Sequence, residues 1–124
     1  QNNIMSTLTK VTHNVLESRY TESSTLSSEA GVTVDSAAAN VFIITAGHNI
    51  TFNFTNVKIG DVKTIIVTGG GGSYTLTLGT INGAAGTYNN LGGTYDDTGS
   101  TKNILEIKFV SASEAWYQIS KAAS

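Results

Sequence analysis

Apolar and polar residues alternate along several short stretches of the chain, which is the pattern of a β-strand with one buried face. The stretch 50–54 alternates in this way, and so does the stretch 105–109. Residues 41–44 are apolar without a break, which indicates a strand that is covered on both faces. With the shorter runs of the same kind, the pattern predicts about eight strands.

Glycine lies between several of these runs, and a glycine-containing connection between two alternating runs is typical of a β-hairpin. Three hairpins are predicted in this way, over residues 26–34, 41–55 and 62–78. Short strands joined by tight turns favour an all-β fold, an antiparallel β-sandwich of jelly-roll type, over residues 23–124.

Residues 1–22 follow a different period. Ile4, Leu8, Val11 and Val15 have the spacing of a heptad seam, which predicts a short N-terminal α-helix that acts as a stem or docking segment. An isolated helix of this length is marginal in water, so it needs a partner. It packs on its own domain, or it forms a coiled coil with other copies and provides the oligomer interface, or the segment is an extended arm.

The composition excludes several partners. The formal net charge is −2 and charged residues make up 13% of the chain, so no basic footprint for nucleic acid is present. No cysteine is available for a disulfide or a thiolate metal site, and no cofactor or metal is expected. No apolar run approaches the roughly 20 residues that a membrane-spanning helix needs, and the first residues lack the apolar region of a secretion signal.

Catalytic groups are sparse, and we expect the protein not to be an enzyme. The two histidines are His13 and His48, and no serine lies in a G-x-S-x-G elbow. The carboxylates fall mostly in predicted turns, where aspartate is common for backbone reasons.

Residues 79–100 form the least regular region, and loops of this length are often functional. Tyrosines lie there beside amide and carboxylate side chains, a combination found in sugar-binding surfaces. The candidate ligand-binding residues are Tyr88, Asn89, Asn90, Tyr95, Asp96 and Asp97. Trp116 and Tyr117 are adjacent in a predicted strand, so one of them is expected to be exposed or to lie at a subunit interface.

Seven features occur in an order that resembles the small β domains of tailed-phage tail fibres, head fibres and decoration-type virion proteins. They are Leu16-Glu17-Ser18-Arg19-Tyr20-Thr21, Gly31-Val32-Thr33-Val34-Asp35, Asn40-Val41-Phe42, Asn49-Ile50-Thr51-Phe52, Gly60 before an Ile/Val strand, Ile104-Leu105-Glu106-Ile107 and the closing Trp116-Tyr117. The resemblance implies a trimeric β domain that follows a helix or a fibrous stem.

The resulting prediction is a phage virion structural protein, either a short head or tail fibre or a capsid decoration protein. It is expected to form a homotrimer, to contact other virion proteins and to be a candidate for binding host surface glycans. The alternative is a secreted, extracellular carbohydrate-binding module, which would be monomeric.

Overall fold

A computed structural model describes residues 18–122 of the chain. Within them, residues 18–21 form one helical turn and the rest is dominated by ten strands. The strands are β1 (Ser23–Thr25), β2 (Gly31–Asp35), β3 (Val41–Thr45), β4 (Ile50–Thr55), β5 (Val62–Thr68), β6 (Leu76–Ile81), β7 (Ala84–Ala85), β8 (Thr87–Asn90), β9 (Lys102–Phe109) and β10 (Glu114–Lys121).

The strands form two sheets that enclose one core. Sheet A has the order β1-β3-β5-β9-β10-β8, and sheet B has the order β2-β4-β6-β7. From β1 to β6 the chain alternates between the two sheets, and within each sheet these strands are parallel. Phe42 therefore lies beside Ile65 in sheet A, and Val32 lies beside Phe52 in sheet B. This is a β-solenoid, in which each coil adds one strand to each sheet.

The predicted antiparallel jelly-roll sandwich is wrong, although the described chain is mostly β-strand. None of the three predicted hairpins forms, because β1 and β2, β3 and β4, and β5 and β6 lie in opposite sheets. Alternation defines which face of a strand is buried, but it does not define the neighbouring strand. Residues 18–21 of the predicted N-terminal helical segment are helical, and the rest of that segment, with Ile4, Leu8, Val11 and Val15, lies outside the described residues.

The C-terminal strands β9 and β10 extend sheet A with antiparallel pairs, and β8 pairs with β10 in parallel. β9 pairs with β5, and β10 pairs with β9 across a short turn, so the predicted strands in this part of the chain are confirmed. The inner faces of both sheets carry the alternating apolar residues. Fully buried members include Phe42, Ile44, Ile50, Phe52, Phe54, Ile65, Leu105, Ile107 and Phe109. Phe54 packs edge-on against Phe109 at 5.2 Å between ring centroids, which joins the solenoid to its C-terminal strands.

A buried charged cluster fixes the helical turn to one edge of the solenoid. The Asp61 carboxylate is inaccessible to solvent and forms an ion pair with the Arg19 guanidinium, which bonds both of its oxygens. It also accepts hydrogen bonds from Ser36 Oγ at 2.7 Å, the Lys58 N–H at 2.9 Å and Tyr20 OH at 3.2 Å. Burial opposes ionisation of Asp61, but these hydrogen bonds and the guanidinium charge hold its pKa below the ordinary value.

Lys63 provides the second cation of the cluster. Its ammonium donates to the carbonyl oxygens of Arg19 and Ala39 and lies 5.2 Å from the centre of the Tyr20 ring. Burial lowers the pKa of Lys63, since the charged form loses its hydration. In the part of the chain that the structure describes, every buried side-chain nitrogen and oxygen has a hydrogen-bond partner.

Candidate functional site

An open groove with a volume of about 830 Å³ lies between the glycine-rich loop at 69–73 and the segment 93–99. Its side chains come from three parts of the chain: Tyr74 after the glycine loop, Tyr95, Asp96 and Asp97 in the long loop, and Ile119 and Lys121 on β10. Three of the six predicted ligand-binding residues, Tyr95, Asp96 and Asp97, are therefore brought together, and the other three lie elsewhere.

Asp97 holds the glycine loop in place. Its carboxylate accepts hydrogen bonds from the Gly70 N–H at 3.0 Å, the Tyr74 N–H at 2.8 Å and Tyr95 OH at 2.6 Å. Its main-chain carbonyl accepts from the Gly71 N–H at 2.7 Å. Desolvation opposes ionisation of Asp97, but these donors keep its pKa below the ordinary value. Asp97 thus shapes one wall of the groove, and its oxygens are already used within the protein.

Asp96 and Lys121 form the accessible charged pair of the groove. Lys121 Nζ lies 2.8 Å from Asp96 Oδ2, and the two side chains are 54% and 32% exposed. The hydrogen bond from Lys121 and those from Thr98 lower the pKa of Asp96. The buried Asn103 amide fixes the Asp96 backbone, because it donates to the Asp96 carbonyl and accepts from the Asp96 N–H. The Asp96 carboxylate is therefore presented to solvent from a backbone that hydrogen bonds hold in place.

Tyr88 belongs to the core and not to the groove. Its ring packs near those of Phe54 and Tyr117, and its hydroxyl donates to the Gly79 carbonyl at 2.9 Å. Burial raises its pKa well above the ordinary range of tyrosine. The prediction that Tyr88 is a ligand-binding residue is not supported by its position.

Asn89 and Asn90 stabilise the backbone around β8. Asn89 Nδ2 donates to Glu114 Oε2 at 2.9 Å on the outer side of sheet A. Asn90 closes the turn that follows β8, since its side chain accepts from the Gly92 N–H and donates to the Gly93 carbonyl. Both side chains therefore serve local structure.

Sequence reasoning missed Tyr74 and Lys121 as groove residues, because the solenoid brings together positions that lie far apart in the chain. It correctly separated Trp116 from Tyr117. Trp116 is 42% exposed on the outer face of sheet A, whereas Tyr117 packs against the core.

Within residues 18–122, the histidine, aspartate and glutamate side chains form no group of three that could hold a metal ion. In the same part of the chain, no helix has the length and apolarity needed to cross a membrane. No protein-family model, curated protein or solved structure matches this chain.

Proposed function

We propose that the protein is a structural component of a phage virion, either a short head or tail fibre or a capsid decoration protein. On this proposal it acts through assembly with copies of itself and with other virion proteins, and not through catalytic turnover. The resemblance stated above, from the Arg19-Tyr20 lead-in to the closing Trp116-Tyr117, supports this assignment.

The observation that carries the proposal is the buried junction between the N-terminal segment and the solenoid. Arg19 and Tyr20 are held by Asp61 and Lys63 at the solenoid edge, so the chain enters the β domain at a fixed place. A stem transmits position to a β domain only when the joint between them is rigid. A buried ion pair with all its hydrogen bonds satisfied provides such a joint.

The proposed assembly is a homotrimer in which Ile4, Leu8, Val11 and Val15 pack around the common axis. Apolar residues with this spacing form the seam through which helices pack together in a coiled coil. Oligomerisation would also offset the weak helix propensity of the threonines in this segment.

The mass in solution tests this assembly. We expect light scattering on a size-exclusion column to give a mass near three chains. Leu8→Asp combined with Val11→Asp should raise the concentration at which trimers form, because it places charges in the seam. Thr9→Asp, outside the seam, is the control. A truncated form that lacks the predicted seam should begin at Ser18 and not later, because loss of Arg19 would leave the Asp61 carboxylate without its ion-pair partner. A chain that is monomeric at every concentration contradicts the homotrimer.

A second candidate function is glycan binding by the groove, either to the host surface in a virion protein or as a secreted carbohydrate-binding module. The observation in its favour is the combination of Tyr74 and Tyr95 with the exposed Asp96–Lys121 pair in one open groove. Aromatic faces and charged hydrogen-bonding groups together are the usual means of sugar recognition.

Binding to an immobilised panel of bacterial oligosaccharides tests the groove. Asp96→Ala combined with Lys121→Ala removes one half-buried and one exposed side chain, both outside the core, so the fold should be kept while binding is lost. The matched control is Glu29→Ala with Lys58→Ala. It also removes one negative and one positive charge, but from exposed positions outside the groove. Binding that is equal in both double variants would remove the groove as the glycan site.

A further inference from the structure

The outer face of sheet A carries a row of isoleucines, of which Ile43 is exposed and Ile66 and Ile104 are half-buried. Ile43 of β3 pairs with Ile66 of β5, and Ile66 pairs with Ile104 of β9, so the three side chains lie side by side across neighbouring strands. Ile43 is 40% exposed. The apolar run at 41–44 predicted a strand with both faces covered, and the core covers only the inner one.

A second apolar group lies on the same face, toward the end of sheet A where β5 begins and β9 ends. Lys108 of β9 pairs with Val62 of β5 on one side and with Trp116 of β10 on the other. Val62 and Trp116 are 49% and 42% exposed, and Val110, the residue directly after β9, is 41% exposed. Large apolar side chains on one sheet face in this number are typical of an interaction surface.

Sheet B has a different outer face. Its outward positions are mainly threonine and asparagine, such as Thr33, Thr51, Asn53 and Thr77. Among the residues that the structure describes, β2, β4 and β6 contribute no exposed large apolar side chain. The exposed apolar residues of the strands are therefore concentrated on sheet A, and simple alternation of buried and solvated faces does not explain them.

We propose that the outer face of sheet A is the surface through which copies of this chain meet, with a second copy of the chain as its occupant. This inference rests on the proposed function, because it places a contact of the homotrimer in the β domain. In the trimer, each face would lie toward the common axis and contact parts of the same face on the other two copies. Six strands about 4.8 Å apart, with about 3.3 Å per residue, give a face on the order of 600 Å². A standard interface buries about 800 Å² on each partner, and this face offers about three quarters of that area, at the lower end of the range for a specific contact.

The charges of the face favour identical copies as partners. Its outward charged residues are Lys102, Glu106 and Lys108 on β9 and Glu114 on β10. Two cations and two anions leave the face neutral, so identical faces approach without net repulsion. Glu106 and Lys108 alternate along one strand, which allows the carboxylate of one copy to meet the ammonium of another. The face carries no net charge that would attract a strongly acidic or a strongly basic partner.

The fluorescence of Trp116 shows directly whether this face is covered, since Trp116 is the single tryptophan of the chain and lies on the face. We expect acrylamide to quench its fluorescence less in the oligomer than in the diluted, monomeric protein. Lys108→Glu should remove this protection, because Glu106, Glu114 and the new carboxylate would repel their counterparts. The dissociation constant should rise by at least tenfold, which corresponds to about 1.4 kcal/mol. Ile43→Lys should act in the same way.

The matched control is Thr33→Lys on the outer face of sheet B, which should leave both the mass and the quenching unchanged. Far-ultraviolet circular dichroism shows whether each variant is folded, and all three replaced residues are exposed, so folding should be kept. An oligomer whose Trp116 is as accessible as in the monomer overturns this inference but leaves assembly through the N-terminal segment. A wild-type chain that never associates overturns the homotrimer as well.

Discussion

Replacing Asp61 by asparagine is expected to lower the free energy of unfolding by about 3–5 kcal/mol, the usual cost of removing one partner from a buried ion pair. The substitution keeps the size of the side chain but leaves the Arg19 guanidinium buried without its counter-charge. An amide also brings an N–H group toward donors that now point at a carboxylate oxygen, such as Ser36 Oγ. Urea denaturation followed by circular dichroism measures the change.

Asp96→Asn is the matched control for Asp61→Asn. It removes the same charge from a carboxylate that is also paired with a cation, but the Asp96–Lys121 pair is exposed to solvent. Exposed ion pairs contribute little to stability, so the denaturation midpoint should stay near that of the wild type. Equal losses in the two variants would show that burial of the Arg19–Asp61 pair is not what stabilises the junction.

The same pair should make stability depend on acid pH. The folded-state pKa of Asp61 lies below its ordinary value, so the folded state binds a proton less readily than the unfolded chain. Its contribution is then fully present above the unfolded pKa, about 3.9, and is lost as the pH falls through the folded pKa. Asp61→Asn should remove this part of the pH dependence, whereas a wild-type profile in the variant would contradict it.

Replacing Gly93 by alanine is expected to cost about 3 kcal/mol, because strain and overpacking act at the same residue. Gly93 has φ of +84°, which side chains rarely adopt. A Cβ atom there would lie 2.8 Å from the Ile119 carbonyl carbon and closer still to its oxygen. The loop after β8 would have to move away from β10, which also supplies Ile119 and Lys121 to the groove.

Gly83→Ala separates the cost of backbone strain from the cost of overpacking. Gly83 has nearly the same φ, +82°, but a Cβ atom there meets nothing within 4 Å. Only the backbone strain remains, so the expected loss is about 1 kcal/mol. Thermal denaturation of both variants measures the difference, and equal losses would mean that the contact with β10 has no part in the effect.

The strand pattern could be predicted well from the sequence, and the sheet topology could not. Predicted strands such as 50–54 agree with the structure, because an alternating strand buries every second side chain whichever strand lies beside it. Strand pairing depends on the path of the chain after each strand. The connections near Gly47 and Gly70 carry the chain across the core to the other sheet, and a glycine-rich connection alone does not distinguish this path from a hairpin.

Only part of the candidate site could be predicted from the sequence, because the rest again depends on the path of the chain. Tyr95, Asp96 and Asp97 are close in sequence, so composition alone indicated that stretch. Lys121 enters the groove only because β10 lies beside the long loop, and Tyr88 leaves it because its strand turns that ring toward Phe54. Which polar side chains hold the backbone and which face solvent is likewise a property of the folded chain.

The order of apolar and polar residues was enough to predict the β character of the domain, the inward faces of its main strands and that either Trp116 or Tyr117 points outward. These features follow from the spacing of apolar and polar side chains, which is set by residues close together in the sequence. Tertiary structure alone decided the solenoid, the burial of Asp61 with Arg19 and the concentration of isoleucines on one outer face. Each of these depends on contacts between residues far apart in the chain, whose free energy is gained only when the coils stack.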